Sequence, residues 1–165
     1  MVASESSLRI GAGQDIHALL LGGTLVLGGV TIPSEKGFRT HSDGDVLAHA
    51  LVDALAGAIA DGDLGTHFPE DDPEAEDAKS IHFVRDFAGL LSRRGYEIAN
   101  IDAFVVLGTV RLRPYIEEMR MNISEATRIP VDRVSVKARS NDGLGDAGRG
   151  EAAEAWAHVL VRRIN

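Results

Sequence analysis

Residues 46–59 constrain the fold more than any other stretch, because they are apolar at the positions that a packed helix buries. The apolar side chains recur at helical spacing over about four turns. They are Val46, Leu47, Ala50, Leu51, Ala54, Leu55, Ala58 and Ile59. A stripe this wide predicts a helix packed on a sheet. Ser42 or Asp43 can cap its amino-terminal end, and Asp45 then lies in the first turn, where a carboxylate interacts favourably with the helix dipole.

The same helix carries an acid–imidazole–acid series on its other side. Asp45, His49 and Asp53 are spaced four residues apart and therefore share one face. Beyond them this face has only alanine and glycine, whereas a solvated helix face normally carries lysine, glutamate and arginine. The pattern predicts an exposed ridge that another group can approach closely. Two interpretations stay open: an incidental surface feature, or a site for a metal or a phosphate.

Composition narrows the functional classes. Asp and Glu number 25 against 17 Lys and Arg, which gives a formal net charge of −8. An acidic chain is poorly suited to nucleic acid, whose phosphates are bound by lysine and arginine. The chain has no cysteine, which excludes disulfides and thiolate metal ligands. Any metal site must therefore use His, Asp and Glu.

Neither a membrane span nor a secretory signal is predicted. The most apolar stretch, residues 19–30, is interrupted by four glycines, and residues 1–7 lack a basic segment followed by an apolar one. We expect one domain over residues 1–165 with a flexible terminus at 1–7, located in the cytoplasm and binding neither nucleic acid nor membrane.

A predicted strand over residues 8–13 leads into Asp15 and His17. In an extended chain, residues two apart point to the same side, so these two side chains aim at one place. The pair can offer two metal ligands, or it can be two polar residues at a strand exit. A third ligand would decide between these interpretations.

The remaining patterns alternate between strands and helices. The predicted elements are a hairpin over 22–32, helices over 78–94 and 111–128, and strands over 98–107 and 134–138. The tail, residues 152–163, fits either type, and its periodicity slightly favours a helix. Residues 70–77 hold six carboxylates, which suit either a solvated loop or a lid over a metal or a sugar.

These patterns predict an α/β (α+β) fold in a single domain, with a mixed β-sheet and helices packed on one of its faces. The other face would carry apolar residues that nothing in the chain covers. An uncovered apolar face predicts burial in an oligomer.

Five motifs, taken together in their order and spacing, resemble one family. They are Asp15-x-His17; His41-Ser42-Asp43-Gly44-Asp45 with His49; Asp63-Leu64-Gly65-x-x-Phe68-Pro69-x-Asp71-Asp72-Pro73; Lys137 to Gly145; and Gly148 to Glu151. Each motif is weak alone. The set, which spans the chain from about residue 8 to its end, resembles the 2-C-methyl-D-erythritol 2,4-cyclodiphosphate synthases of the non-mevalonate isoprenoid pathway.

The resemblance implies a homotrimer with active sites between neighbouring subunits, and it implies that the tail is a strand. The implied activity is that of a phosphorus–oxygen lyase. The 2-phosphate of 4-diphosphocytidyl-2-C-methyl-D-erythritol 2-phosphate attacks the β-phosphorus of the diphosphate. The products are 2-C-methyl-D-erythritol 2,4-cyclodiphosphate and CMP.

The resemblance also assigns roles to individual residues. The three protein ligands of a zinc ion would be Asp15, His17 and His49, with a phosphate oxygen in the fourth position. Asp142 would bind a second cation, Mg²⁺ or Mn²⁺, that bridges the substrate phosphates. His41 and Ser140 match positions that stabilise the transition state. Asp45 and Asp53 would orient the zinc ligands.

A larger set matches substrate-binding positions. It comprises Ser42, Asp63, Leu64, Gly65, Phe68, Pro69, Glu70, Asp71, Asp72, Arg111, Arg113, Arg139, Asn141 and Arg149. In the nucleotide loop, residues 108–113, the proline usual in the family is missing, although Arg111 keeps the charge. Asp146 stands where the family has a phenylalanine lining a central trimer cavity, so we expect weak or absent binding of isoprenoid diphosphate there. Arg149 and Glu151 can alternatively form a salt bridge between subunits.

Two other functions compete with the synthase. A metal-dependent phosphohydrolase would use the same ligands to activate water, and a non-catalytic trimeric paralogue would keep the metal for structure. The sequence has His41, Ser140 and Asp63 in addition to the three ligands. This favours the synthase, because a structural zinc ion would not need groups that face a substrate.

Overall fold

A four-stranded mixed sheet organises the fold in the computed structural model, which describes residues 7–39, 42–69 and 78–164. The strands are β1 (Leu8–Ala18), β2 (Leu20–Leu21), β3 (Leu25–Leu27), β4 (Val30–Ile32), β5 (Lys36–Gly37), β6 (Tyr96–Val106), β7 (Val134–Arg139) and β8 (Ala152–Arg163). The helices are α1 (Val46–Ala58), α2 (Leu64–His67), α3 (Ser80–Arg93), α4 (Ile116–Thr127) and α5 (Gly145–Gly148).

The main sheet has the strand order β1-β8-β6-β7. Strand β8 lies antiparallel between β1 and β6, whereas β6 and β7 are parallel. Strands β3 and β4 form the hairpin predicted over 22–32. The predicted α/β fold with a mixed sheet is therefore confirmed.

The tail forms strand β8, so the slight preference for a helix is wrong and the strand implied by the resemblance is confirmed. Alternate residues of β8 are buried beneath the helices: Ala153, Ala155, Ala157, Val159 and Val161. Alanine is the strongest helix former by intrinsic propensity, so the three alanines on this side favour a helix locally. The pairing of β8 with strands on both sides decides the matter.

The three long helices cover one face of the sheet, as predicted. Helix α1 packs on β1 and β8, α3 packs on α1 and α4, and α4 packs beside β7. Helix α4 begins later than predicted, because Arg113–Tyr115 form a 3₁₀ turn around Pro114. It ends at Arg128, which adopts a left-handed conformation with φ of 58°.

Across the described ranges, we find no helix with the length and apolarity needed to cross a membrane.

Helix α1 lies directly on the backbone of β1. A Cβ atom added to Gly11 would be 1.8 Å from the carbonyl oxygen of Ala54, and one added to Gly13 would be 2.1 Å from that of Ala50. Only residues without a side chain permit this approach. The ridge predicted to be exposed is instead largely buried, since Asp45 is 0% and His49 7% exposed.

Asp45 caps α1, and the prediction of Ser42 or Asp43 as the cap is wrong. The Asp45 carboxylate accepts hydrogen bonds from the backbone N–H groups of Leu47 and Ala48. Gly44 precedes the cap with φ of +68°, a conformation outside the right-handed helix, so the helix starts after it.

The opposite face of the sheet is more polar than predicted. Ile10 and Ile16 are 71% and 45% exposed, which fits the expectation of uncovered apolar residues. On the inner strands of that face, however, Phe104 stacks on Trp156 with ring centroids 4.8 Å apart. The cationic groups of Lys137 and Arg139 lie 6.0 and 5.5 Å from the centre of the Phe104 ring, so this face combines apolar and charged side chains.

Candidate metal centre

Three metal-ligating side chains converge where α1 packs on β1. Asp15 and His17 project from β1 and His49 projects from α1, and one ligand atom of each lies within 4.8 Å of the others. His49 Nδ1 is 3.0 Å and His17 Nε2 is 3.3 Å from the same oxygen, Asp15 Oδ2. We call these residues the ligand group. His49 is thus the third ligand that the Asp15-x-His17 pair required.

The second nitrogen of each imidazole has a partner of its own. His17 Nδ1 lies 3.1 Å from the carbonyl oxygen of Gly44, which can only accept, so this nitrogen carries a proton. His49 Nε2 lies 2.9 Å from Ser80 Oγ. Such partners fix the orientation of a metal-ligating ring. The ligand group therefore directs one carboxylate oxygen and two ring nitrogens to a common point.

The surroundings of the ligand group favour a positive charge. Burial lowers the pKa of His49, but the hydrogen bond and the charge of Asp15, together with the charges of other carboxylates, raise that pKa above its usual value. The charges of Asp45 and Asp43 act in the same direction. A proton or a metal ion can supply the positive charge that these carboxylates attract.

Asp45 contacts the backbone rather than the ligand group. Besides capping α1, its carboxylate accepts from the N–H groups of Gly28 at 2.9 Å and Gly29 at 2.7 Å, in the turn between β3 and β4. These bonds tie the hairpin to the start of α1. All four of these hydrogen bonds are to backbone N–H groups, so the role of orienting the zinc ligands stays a prediction.

Asp53 joins α1 to the segment that carries several predicted substrate contacts. Its Oδ1 accepts from the N–H of Leu64 at 2.8 Å, and Asp63 caps α2 by accepting from Thr66 N at 2.8 Å. Burial raises the pKa of Asp53, the Leu64 hydrogen bond opposes the rise, and the charges of Asp63 and Asp15 add to it. Asp63, Leu64 and the following Gly65 thus lie on the same side of α1 as the ligand group.

Other predicted substrate residues have different surroundings. The Phe68 ring stacks on Phe83 with centroids 4.2 Å apart, so it packs on α3, while Pro69 is exposed. Ser42 Oγ accepts from Gly44 N at 3.2 Å. His41, Glu70, Asp71 and Asp72 lie outside the described residues.

The Ser140 loop, residues 140–145, lies at the far edge of the sheet. Ser140 Oγ accepts from Asp142 N at 3.4 Å, and Asn141 and Asp142 adopt positive φ angles of 53° and 49°. Strands β8 and β6 separate β7 from β1, which places the loop about 14 Å from the ligand group across the sheet. A single chain does not bring Ser140 and Asp142 to Asp15.

The predicted phosphate-binding arginines are exposed. Arg111 and Arg113 follow β6, and the Arg139 guanidinium lies 5.5 Å from the centre of the Phe104 ring. Arg149 pairs with Glu151 at 3.1 Å and with Asp146. Arg149 and Glu151, for which a salt bridge between subunits was the alternative to substrate binding, thus form an ion pair within one chain.

Sequence reasoning missed Ser80 and the two glycines of β1. Ser80 is completely buried at the first position of α3. A serine at a helix start is commonly a cap, so its position gave no hint of a partner on α1. The Gly-x-Gly spacing in residues 11–13 was the available signal for close helix packing.

Fold and site together define a class: a single mixed α/β domain in which an Asp–His–His group on a strand and a helix can hold a divalent cation. Comparison with known proteins narrows this class. The sequence model of the YgbB family matches residues 8–162. The chain belongs to that family.

Named relatives agree over nearly the whole chain. A 2-C-methyl-D-erythritol 2,4-cyclodiphosphate synthase from Paraburkholderia phymatum is 49% identical over 157 residues, which cover 95% of this chain and 99% of that protein. The bifunctional IspDF from Campylobacter jejuni superposes with a TM-score of 0.90 and 32% identity over 96% of this chain, which spans 43% of that longer one. An IspF from Plasmodium falciparum, in complex with CDP, gives a TM-score of 0.85 and 33% identity over 98% of this chain and 100% of that one.

Proposed function

We propose that this chain converts 4-diphosphocytidyl-2-C-methyl-D-erythritol 2-phosphate to 2-C-methyl-D-erythritol 2,4-cyclodiphosphate with release of CMP, as a phosphorus–oxygen lyase. The observation that carries the proposal is the convergence of Asp15, His17 and His49 in a chain that matches named synthases end to end. The CDP complex of a structural neighbour supports a cytidine nucleotide as part of the substrate.

The ligand group fits a Zn²⁺ ion. One carboxylate and two imidazoles, each imidazole with its second nitrogen satisfied, are a donor set found in catalytic zinc sites with an open fourth position. When bound, zinc supplies Lewis-acid polarisation of the β-phosphate. We assign a second cation, Mg²⁺ or Mn²⁺, to the substrate phosphates, with Asp142 as its protein ligand.

The protein side chains align the two phosphates and neutralise their charge. Phosphoryl transfer needs no side-chain nucleophile, which suits a chain without cysteine. We propose that His41 and Ser140 donate hydrogen bonds to the phosphate oxygens. The exposed arginines at 111, 113 and 139 would add positive charge. We assign to Asp63 the role of accepting hydrogen bonds from the methylerythritol hydroxyls.

The placement of these residues supports a site built by two subunits. The ligand group is on β1 and α1, and the Ser140 loop follows β7 at the opposite edge of the same sheet. A homotrimer would bring the two edges together and cover Ile10 and Ile16. Light scattering should then give a mass about three times that of the 17.6-kDa chain, whereas a monomer would contradict this assembly.

Phosphorus NMR tests the reaction directly. With zinc, magnesium and the diphosphocytidyl substrate, the chain should produce two coupled cyclic-diphosphate resonances together with CMP. His49→Ala should lower this rate by about 100-fold or more, because it removes one of three zinc ligands. His82→Ala is the matched control, since His82 is exposed on α3; its rate should match that of the unchanged chain.

Two other outcomes would replace the proposal. Linear monophosphate products would identify a phosphohydrolase that uses the same ligand group. A zinc-loaded trimer without any turnover would identify a non-catalytic member of the family.

A further inference from the structure

His49 is held on its far side by two residues that belong to neither the ligand group nor the substrate set described above. Its Nε2 lies 2.9 Å from Ser80 Oγ, and Ser80 Oγ lies 2.5 Å from Asp43 Oδ1. Ser80 is 0% exposed and begins α3, while Asp43 precedes α1. The three side chains form a continuous hydrogen-bond chain that runs from one helix to the other.

The direction of each hydrogen bond in this chain is fixed by chemistry. The Asp43 carboxylate can only accept, so the single hydroxyl proton of Ser80 is donated to it, and the short distance fits a charge-assisted bond. Ser80 Oγ is then left with lone pairs toward His49. The His49 Nε2 must therefore be the protonated nitrogen, and in a neutral ring the Nδ1 that faces Asp15 carries the lone pair.

Asp43 is itself held in place by the backbone. Its second carboxylate oxygen accepts from Ser80 N at 3.1 Å, and its own N–H points to the carbonyl oxygen of Ala78 at 3.4 Å. Asp43 Oδ1 also accepts from Asp45 N at 3.3 Å. These contacts join the segment before α1 to the start of α3, so the carboxylate cannot turn away from Ser80 without breaking them.

We propose that Ser80 and Asp43 are positioning residues for the metal centre: they hold the His49 ring with its Nδ1 lone pair aimed at the ion. They also make metal affinity depend on the docking of α3 against α1. The inference rests on the proposed function only for the choice of zinc as the ion.

Zinc affinity measured by chelator competition at fixed pH tests this role. Ser80→Ala removes the acceptor for His49 Nε2 and should weaken zinc binding by about 10- to 100-fold, as loss of such partners does in other zinc sites. Ser124→Ala is the matched control, because Ser124 also loses a short bond, to the Ile129 carbonyl at 2.6 Å, but lies on α4. Its zinc affinity should equal that of the unchanged chain.

Two further measurements separate positioning from general destabilisation. Nitrogen NMR of the zinc-loaded protein should show a His49 Nε2–H that exchanges slowly with solvent, and faster exchange in Ser80→Ala. Ser80→Thr, which keeps the hydroxyl, should restore most of the affinity. At saturating zinc, Ser80→Ala should regain kcat with KM unchanged, because Ser80 does not touch the substrate.

The outcomes also separate this inference from the proposed function. An unchanged zinc affinity in Ser80→Ala, or an equal loss in Ser124→Ala, overturns the positioning role even in an active enzyme. A chain that binds zinc in the predicted way without forming the cyclic product overturns the function and leaves the positioning role intact. Should Ser80→Ala not fold, Asp43→Asn makes the same test, with a smaller loss of affinity expected and an unchanged affinity as the overturning result.

Discussion

At the scale of single residues, burial and hydrogen bonding shift the pKa of Asp45 in opposite directions. Burial without access to water raises its pKa from 3.8 to about 6, even though backbone N–H groups from Gly28, Gly29 and Ala48 lower it. The nearby charge of Asp43 adds to the rise. The carboxylate that caps α1 and holds the β3–β4 turn is thus also a source of pH-dependent stability.

We predict that the stability contributed by Asp45 decreases as pH increases. Because its folded-state pKa is raised, the stabilisation is complete below pH 3.8 and is lost as pH rises through about 6. The free energy of unfolding of the metal-free chain, measured by urea titration relative to Asp45→Asn, should fall by about 2 kcal/mol between pH 4 and pH 7. A difference that stays constant or grows with pH would contradict this.

At the scale of elements, the contact between β1 and α1 decides whether a metal centre exists. The spacing of Asp15 and His17 on one side of a strand was predictable from the two-residue period, and so was the helical face with His49. Their convergence was not, because it depends on how closely two elements approach. The close approach depends on Gly11 and Gly13. Because glycine has no side chain, these positions add nothing to the polar and apolar pattern from which elements are predicted.

We predict that Gly11→Ala lowers the free energy of unfolding by about 3 kcal/mol, because the added carbon would meet the Ala54 carbonyl oxygen at 1.8 Å. Relief of the clash requires α1 to move away from β1, so zinc affinity should fall as well. Gly57→Ala is the matched control: the nearest atom is 3.9 Å away, and the change should stabilise α1 by about 0.5–1 kcal/mol. Equal effects of the two variants in urea titration would show that the close contact is unimportant.

The local sequence pattern predicted most helices and strands correctly but did not identify β8, one of the two inner strands of the main sheet. The helices over 78–94 and 111–128 were found to within a few residues, because their apolar stripes are helical and end at Gly95 and near Pro130. Strand β8 was misjudged because its buried side consists of alanine and valine, which either structure accommodates. Pairing with β1 and β6, which local sequence does not contain, made it a strand.

At the scale of the whole molecule, the sheet separates the two halves of the proposed site. The Asp15, His17 and His49 side chains lie at one edge, and Ser140 and Asp142 follow the strand at the other. Folding of one chain leaves the two halves at opposite edges of the sheet. In the proposed site, association of chains must therefore bring the halves together. The match to a single family model over residues 8–162 spans both halves.

We predict that two inactive variants restore each other's activity when they share a trimer. In a co-expressed mixture of His49→Ala and Ser140→Ala, about a quarter of the interfaces combine an intact ligand group with an intact Ser140 loop, so about a quarter of full activity should return. A mixture of His49→Ala with Asp15→Ala is the control and should stay inactive, because both changes disable the same half. Absence of recovery in the first mixture, with mixed trimers present, would place the whole site within one chain.

The bare backbone of β1 also bears on how mutational scans of this protein should be interpreted. A scan that scores growth or activity will find Gly11 and Gly13 as intolerant as Asp15 and His17 of the ligand group, which follow them on the same strand. Their intolerance would stem from the lack of room for a β-carbon against α1. A position on this strand can therefore be sensitive to substitution either because it lies against α1 or because its side chain takes part in the chemistry. Separate measurements of metal binding and of catalysis distinguish these two causes.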